Sequence, residues 1–146
     1  MRSSFSTPGQ PENEGRIVVV DDDPYVRRAL LRLLQSGGYG VRTFASCEEF
    51  LASCPLPDVD CLILDVYLVG MSGIELYERL SARGSPPPAI FITARDAGVM
   101  SVGLMPRRSS IACLCKPFDG DELLVEVANA LQRPHSGSAL PRSVAR

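Results

Sequence analysis

The sequence predicts an α/β protein, a doubly wound parallel sheet of five strands with five helices. Three observations lead to this fold class. Short apolar runs alternate along the chain with segments whose apolar residues recur at helical spacing. The short runs are apolar nearly throughout, which is typical of strands covered on both faces of a sheet. The strict alternation favours parallel strands joined by right-handed helical crossovers, and 146 residues suffice for one such domain.

The first strand, the first helix and the second strand are predicted in the N-terminal part of the chain. Arg16–Val20 is a β-branched run and predicts a buried strand. Pro24 stands where a first helical residue is favoured, and Gly37 with Gly38 ends the helix. The apolar positions of this helix recur on one face: Val26, Leu30, Leu33 and Leu34. Gly40–Phe44 fits the second strand.

Two capping boxes predict the starts of the next two helices. Ser46 with Glu49 opens a short second helix, and Ser72 with Glu75 opens a third. The third strand is predicted between them at Val59–Leu64, with Asp65 directly after its apolar run. The inward face of the third helix is formed by Leu76, Tyr77 and Leu80.

The C-terminal part continues the alternation. Ala89–Ile92 predicts the fourth strand and Ile111–Cys115 the fifth. Residues 97–105 between them predict a helix that Pro106 ends. The last helix is predicted to be capped by Asp119. Its inward face is formed by Leu123, Leu124, Val127, Ala128 and Leu131.

The composition of the two ends differs from that of the middle. Residues 1–15, rich in proline and glycine, predict a flexible N-terminal lead, and residues 133–146 a flexible C-terminal tail. One domain over residues 16–132 follows. Because no apolar run is long enough to cross a bilayer and no secretory signal follows Arg2, we expect a cytoplasmic protein without a membrane partner.

Charge and cysteine content exclude several classes of function. Between Ile17 and Leu131 there are fifteen acidic residues against ten basic ones, which argues against direct DNA binding by the domain. The five cysteines form no CxxC motif, and the chain has a single histidine, so no zinc site is indicated. We interpret the cysteines as reduced thiols that pack as small apolar side chains.

The residues that end the predicted strands are polar, and they indicate where the chemistry lies. Ligands of an open α/β sheet bind beyond the carboxyl ends of its strands. The first strand ends in three consecutive acids, Asp21 to Asp23, the third in Asp65, the fourth in Thr93 and the fifth in Lys116. The predicted site therefore joins several carboxylates, one hydroxyl and one ammonium at one edge of the sheet.

These groups suit phosphoryl transfer with a divalent cation. Clustered carboxylates repel one another unless a cation lies among them, and hard oxygens suit Mg²⁺. One carboxylate could then attack phosphorus, with the metal, Lys116 and Thr93 positioned on the phosphoryl oxygens. The chain has no Walker loop and no GxGxxG motif, so the phosphate donor is not expected to be a nucleotide bound here. Asp23, directly before Pro24, is interpreted as a helix N-cap.

The residues resemble those of a known family, the receiver domain of two-component response regulators, and are similar to receivers of the nitrogen-fixation and nitrogen-regulation kind. The resemblance spans about residues 16–132 and rests on five separate segments. These are Ile17 to Pro24, Leu62 to Asp65, Met71 to Leu76, Phe91 to Ala94 and Lys116 to Phe118. It implies a flavodoxin-like receiver fold and phosphorelay signal transduction.

The resemblance also implies a role for each site residue. Asp65 would be the phosphoacceptor, receiving phosphate from a histidine kinase or a phosphotransfer protein. Asp22 and Asp65 would hold Mg²⁺ together with the backbone carbonyl of Tyr67, while Asp21 would act through water. Lys116 would pair with the phosphoryl oxygens, and its bond to Pro117 would be cis. Thr93 would move toward the phosphate and act as the switch.

The sequence departs from the family pattern at three places. Val69 stands in the loop after the acceptor where the family usually has proline. Cys113 stands at the position of the aromatic switch residue, three residues before Lys116. Residues 106–110 replace a Lys-Ala-Gly type of helix end. The acceptor chemistry is expected to be intact, whereas the output face is unusual.

Three functions are compatible with these observations. The first is a single-domain response regulator that acts on an unidentified downstream protein and is not an enzyme, apart from its own phosphorylation and dephosphorylation. The second is a degenerate receiver that binds partners without phosphorylation, which Cys113 and Val69 would favour. The third is a haloacid-dehalogenase type of phosphatase, since Asp21 and Asp23 follow an apolar strand, but Pro24 replaces the start of its Gly-Thr pair.

Overall fold

The computed structural model describes residues 15–53, 58–94 and 111–132. The predicted lead up to residue 14, the helix over 97–105, the departure at 106–110 and the tail from residue 133 lie outside these ranges. The described elements, in chain order, are β1 Arg16–Val20, α1 Pro24–Ser36, β2 Gly40–Phe44, α2 Cys47–Ser53, β3 Cys61–Asp65, α3 Gly73–Arg83, β4 Ala89–Ala94, β5 Ile111–Lys116 and α4 Gly120–Gln132.

The five strands form one parallel sheet in the order β2-β1-β3-β4-β5. This order confirms the predicted doubly wound fold. The chain moves outward from β1 to β2 and then returns to add β3 on the other side of β1. The strand order therefore reverses between β1 and β3, where a crevice for ligands is expected.

Hydrophobic side chains cover both faces of the sheet, as the continuous apolar strands predicted. The face toward α2 and α3 buries Val18, Val20, Phe44, Phe50, Leu62, Leu64, Leu76, Tyr77 and Phe91. The face toward α1 and α4 buries Ile17, Val19, Leu30, Leu34, Val41, Ile63, Ile90, Ile92, Leu123 and Val127. Alternate residues of each central strand thus point into opposite core layers.

Local sequence signals explain the helix starts. The Asp23 side chain accepts the backbone N–H of Tyr25 at 2.9 Å and caps α1, with Pro24 in the first turn. Ser72 and Glu75 form the complete capping box of α3. At α2 the Ser46 hydroxyl accepts the Glu49 amide at 3.0 Å, but the Glu49 carboxylate accepts the amide of Ala45 instead of that of Ser46.

Four predicted limits were wrong, in three strands. The β3 ladder covers Cys61–Asp65, not Val59–Leu64, because Val59 is buried outside the ladder while Asp65 still pairs with Ile92. Strand β4 extends to Ala94 and β5 to Lys116, since these two residues are paired. Asp65 and Lys116 are therefore the last residues of their strands, and Thr93 is the second-to-last residue of β4. No helix in the described ranges is long and apolar enough to cross a membrane.

Candidate functional site

Two buried carboxylates lie side by side at the carboxyl edge of the sheet. Asp65 ends β3, and Asp21 follows the last residue of β1, which pairs with Leu64. Asp21 has 0% and Asp65 6% of its surface exposed. Asp22 is exposed, yet the three aspartates offer carboxylate oxygens that all lie within 4.8 Å of one another. The structure thus brings together the three carboxylates that the sequence placed at this edge.

Lys116 reaches this acidic cluster from the end of β5. Its Nζ lies 3.2 Å from Oδ2 of Asp21 and 3.5 Å from Oδ2 of Asp65. The ammonium donates to both carboxylates, so one positive charge is shared by two buried acids. The Lys116–Pro117 peptide bond is cis.

Burial and charge shift the pKa values of the two partners. Burial and the neighbouring charge of Asp21 raise the pKa of Asp65 to about 6, against the opposing effects of Lys116 and of the Tyr67 amide. Although burial alone lowers the pKa of Lys116, the carboxylates of Asp65 and Asp21 outweigh it and raise that pKa above its ordinary value. The ammonium is therefore held in its charged form, whereas ionised Asp65 is disfavoured by its surroundings.

The turn after β1 is fixed by its own side chains. The amide of Asp23 donates to Oδ1 of Asp21 at 2.9 Å, and the guanidinium of Arg27 donates to the Asp21 carbonyl at 2.8 Å. Sequence reasoning identified Asp23 as a cap but missed Arg27. A basic residue near the start of an amphipathic helix carries no sequence signal for a backbone contact.

The loop after β3 begins against the acidic cluster. The amide of Tyr67 donates to Oδ1 of Asp65 at 3.2 Å, and the amide of Gly73 donates to the Val66 carbonyl at 3.2 Å. Tyr67 is 50% and Val69 83% exposed. The Tyr67 backbone thus lies beside Asp65, the acid with which, according to the resemblance, its carbonyl would hold Mg²⁺.

Gly73 is a second residue whose importance sequence reasoning missed. A Cβ atom at this position would lie 2.3 Å from the backbone oxygen of Asp65. Only glycine allows α3 to start so close to the end of β3. A glycine at the first position of a well-capped helix was the available signal, since glycine has poor helix propensity.

The two residues predicted to form the switch lie on adjacent, paired strands, Thr93 opposite Cys115 and Cys113 opposite Phe91. Thr93 is fully buried, and it lies one residue beyond Ile92, the partner of Asp65 in the neighbouring strand. Cys113 pairs with Phe91 and packs, partly buried, against the core layer shared with α2 and α3. Thr93 therefore belongs to the carboxyl edge of the sheet, whereas Cys113 lies back within β5. No disulfide joins the cysteines of the described ranges.

The donor set fits Mg²⁺. Asp21, Asp22 and Asp65 supply hard carboxylate oxygens within reach of one common cation. A cation there would offset the mutual repulsion that contributes to the raised pKa of Asp65. Two of the carboxylates are buried on rigid strand ends and the third is open to solvent, which leaves a path for a hydrated ion.

Comparison with known proteins gives consistent matches. The family model of the response regulator receiver domain matches residues 17–128. The transcriptional regulatory protein FixJ of Bradyrhizobium diazoefficiens is 34% identical over 120 residues, which cover 82% of this chain and 58% of that protein. The chain thus spans little more than half of this curated relative.

Solved structures agree in fold. A crystal structure of full-length FixJ from B. japonicum matches with a TM-score of 0.71 and 35% identity, covering 81% of this chain and 58% of that one. A crystal structure of a response regulator receiver protein from Burkholderia phymatum matches with a TM-score of 0.66 and 40% identity, covering 88% of this chain and 99% of that one.

Proposed function

The chain belongs to the family of response regulator receiver domains, and from this premise we propose that Asp65 accepts a phosphoryl group from the phosphohistidine of a histidine kinase or a phosphotransfer protein. The observation that carries the proposal is the position of the Lys116 ammonium, 3.5 Å from Oδ2 of Asp65 and 3.2 Å from Oδ2 of Asp21. This arrangement sets a fixed positive charge beside a buried carboxylate that can act as a nucleophile.

The reaction is a displacement at phosphorus. An oxygen of ionised Asp65 forms a bond to phosphorus, the bond from phosphorus to the histidine nitrogen breaks, and the electron pair leaves with that nitrogen. The product is an acyl phosphate on Asp65 and a free histidine. Because the pKa of Asp65 is raised only to about 6, the acid is ionised at neutral pH. Lys116 and the hydroxyl of Thr93 would contact the phosphoryl oxygens, which need neutralising charge and hydrogen bonds.

Mg²⁺ belongs to the same proposal. Asp22 and Asp65 would hold it with the backbone carbonyl of Tyr67, and Asp21 would contribute through water. When bound, the ion supplies positive charge to the phosphoryl oxygens. The chain's own acids fix where that charge lies, because Asp21 and Asp65 stand on neighbouring strand ends and do not have to be ordered on binding.

The output of the domain is proposed to be a protein contact. The excess of acidic residues between Ile17 and Leu131 disfavours DNA as the direct ligand of this domain. Thr93 would respond to the phosphate, and Cys113 would be the switch position in β5. In this view the domain catalyses only its own phosphorylation and dephosphorylation. The proposed site of action is the cytoplasm.

The test is phosphorylation with acetyl phosphate and Mg²⁺ followed by intact-mass measurement. We expect the wild type to gain the mass of one phosphoryl group and Asp65→Asn to gain none. Asp23→Asn is the matched control, because it removes a neighbouring acid but keeps a good N-cap, and it should be labelled like the wild type.

Two other outcomes would overturn the proposal. A folded wild-type protein that gains no phosphoryl group would support the degenerate receiver, which binds partners without phosphorylation. Steady turnover of a phosphate ester that survives in Asp65→Asn would support a phosphatase that uses Asp21 or Asp23.

A further inference from the structure

The loop between β3 and α3, residues 66–72, is held by three elements of the fold. Its start is fixed by the Tyr67 amide on Oδ1 of Asp65. Its end is fixed by the capping box of α3, in which the Ser72 amide donates to Glu75 at 2.9 Å. The stretch between these ends is held by α2, a helix that supplies no residue to the acidic cluster.

Glu48 makes this third contact. Its Oε2 accepts the backbone amide of Met71 at 3.0 Å. Gly70 adopts a φ of +85°, and a Cβ atom there would lie 2.9 Å from the same oxygen. The backbone at Gly70 and Met71 therefore bends closely around the Glu48 carboxylate, and glycine makes this approach possible.

The preceding residue of α2 strengthens the same attachment. The thiol of Cys47 donates to the backbone carbonyl of Ser72 at 3.6 Å. Cys47 is fully buried, and burial, with the nearby charges of Glu48, Glu75 and Asp65, raises its pKa to about 12. The thiol thus keeps its proton at neutral pH and remains a donor. Two consecutive residues of α2 thereby bind two consecutive residues at the end of the loop.

We propose that Glu48 is a positioning residue, whose contact with Met71 holds the loop so that Tyr67 is placed for Mg²⁺ binding and for phosphorylation of Asp65. The inference rests on the proposed function. Val69 stands where the resemblance predicts a proline, and it is 83% exposed, so it restrains the loop neither through a ring nor through burial. The Glu48 carboxylate, on α2, supplies the restraint from outside the loop.

A positioning role predicts a loss of Mg²⁺ affinity without a loss of any ligand. If only a fraction of molecules holds the loop in place, the apparent dissociation constant rises by the inverse of that fraction. For Glu48→Ala we expect Mg²⁺ binding about five-fold weaker, which corresponds to about 1 kcal/mol, the net value of a typical hydrogen bond. Phosphorylation by acetyl phosphate at low Mg²⁺ should fall in parallel, and high Mg²⁺ should restore it.

A second variant separates position from charge. Glu48→Gln removes the negative charge but keeps a side-chain oxygen that can accept the Met71 amide. It should bind Mg²⁺ within about two-fold of the wild type, since the geometry survives. Glu49→Ala is the matched control. It removes an acid from the same turn of α2 and disturbs that helix start, but Glu49 bonds Ser46 and Ala45, not the loop.

The readout is an NMR titration with Mg²⁺ that follows the amides of residues 66–72, combined with their hydrogen exchange in EDTA. In Glu48→Ala these amides should exchange faster than in Glu48→Gln and Glu49→Ala. Should Glu48→Ala fail to fold, Glu48→Asp tests the same contact, because its shorter side chain keeps the charge but withdraws the carboxylate from the Met71 amide. It should weaken Mg²⁺ binding in the same way.

The outcomes distinguish this inference from the proposed function. A wild type that neither binds Mg²⁺ nor accepts a phosphoryl group would overturn the proposed function. A phosphorylated wild type with Glu48→Ala and Glu48→Asp unchanged in Mg²⁺ affinity would overturn only the role of Glu48. Equal weakening in Glu48→Gln and Glu48→Ala would show that charge acts and position does not, which also contradicts the inference.

Discussion

Asp65 illustrates at the residue scale how a functional group can oppose folding. Its pKa is raised from 3.8 to about 6, so the folded state binds the proton more tightly than the unfolded chain does. Ionised Asp65 therefore costs stability above pH 6, and this cost disappears as the pH falls below 4. Without metal, Asp65→Asn should stabilise the protein at pH 8 by on the order of 2 kcal/mol, since one pKa unit corresponds to about 1.4 kcal/mol.

Thermal unfolding in EDTA at several pH values checks this prediction. The difference in melting temperature between Asp65→Asn and the wild type should be several degrees at pH 8 and should shrink steadily between pH 6 and pH 4. A variant that is less stable than the wild type at pH 8 would show that the contact with Lys116 outweighs the cost of burying the charge.

Lys116 gives the complementary prediction. Its ammonium lies close to two of the three carboxylates, so it competes electrostatically with a bound cation. Lys116→Met should therefore bind Mg²⁺ several-fold more tightly while it loses most of its phosphorylation rate. The loss is expected because no other described cation lies within 4.0 Å of a carboxylate oxygen of Asp65 or Asp21. Calorimetric Mg²⁺ titration and the labelling rate measure the two effects separately. Weaker binding of Mg²⁺ in this variant would contradict the competition.

The sequence predicted which residues lie at the site. It did not predict the contacts that hold those residues in place. Asp21, Asp65 and Lys116 are visible because polar residues that directly follow apolar strands must gather at one edge of a parallel sheet. Arg27 and Glu48 were not predicted, because each contacts the backbone of another segment. Such contacts depend on the register between elements, which local sequence does not encode.

At the scale of whole elements, the junction of β3 and α3 is the tightest part of the site. The first residue of α3 is Gly73, where a Cβ atom would meet the Asp65 backbone oxygen at 2.3 Å. Because a backbone atom cannot move without shifting the strand, Gly73→Ala should destabilise the fold by about 1–3 kcal/mol. It should also slow phosphorylation, since the shift would displace Asp65.

Gly120 supplies the matched control for this prediction. It is the first residue of α4, and a Cβ atom there would meet Cδ1 of Leu33 at 3.1 Å. The end of a leucine side chain can turn aside, and alanine favours the helix, so Gly120→Ala should change stability by less than about 1 kcal/mol. Denaturant unfolding compares the two variants. Equal stability of Gly73→Ala and the wild type would mean that the two elements can separate at little cost.

The elements themselves followed from the sequence to different degrees. The limits of β1 agree with the prediction because Gly15 and Asp21 bound its run, and those of β2, which starts at Gly40, agree as well. The ends of β3, β4 and β5 were predicted too early, because the apolar pattern stops where the backbone ladder continues. Asp65 is part of its strand despite its polarity. The ladder continues past it, because the amide of the next residue, Val66, donates to the Ile92 carbonyl.

At the scale of the whole molecule, the acidic cluster lies at the ends of two interior strands of the sheet. Strands β1 and β3 are adjacent in the order β2-β1-β3-β4-β5, and both are buried on two faces. The fold class was predictable because continuous apolar strands permit few other arrangements. A ligand that binds the ends of both strands stabilises the folded state against global unfolding by mass action. Binding at this edge can therefore be measured as overall stability.

Two adjacent acids allow this linkage to be tested on one turn of the chain. Asp22 belongs to the acidic cluster, whereas Asp23 caps α1 through the Tyr25 amide. With free Mg²⁺ at ten times its dissociation constant, the wild type should gain about 1.4 kcal/mol. Asp22→Ala should lose this gain without loss of stability in EDTA. Asp23→Ala should lose about 1 kcal/mol under both conditions and keep the gain. Denaturant unfolding of the three proteins with and without Mg²⁺ measures these differences, and an undiminished gain in Asp22→Ala would place the metal on other residues.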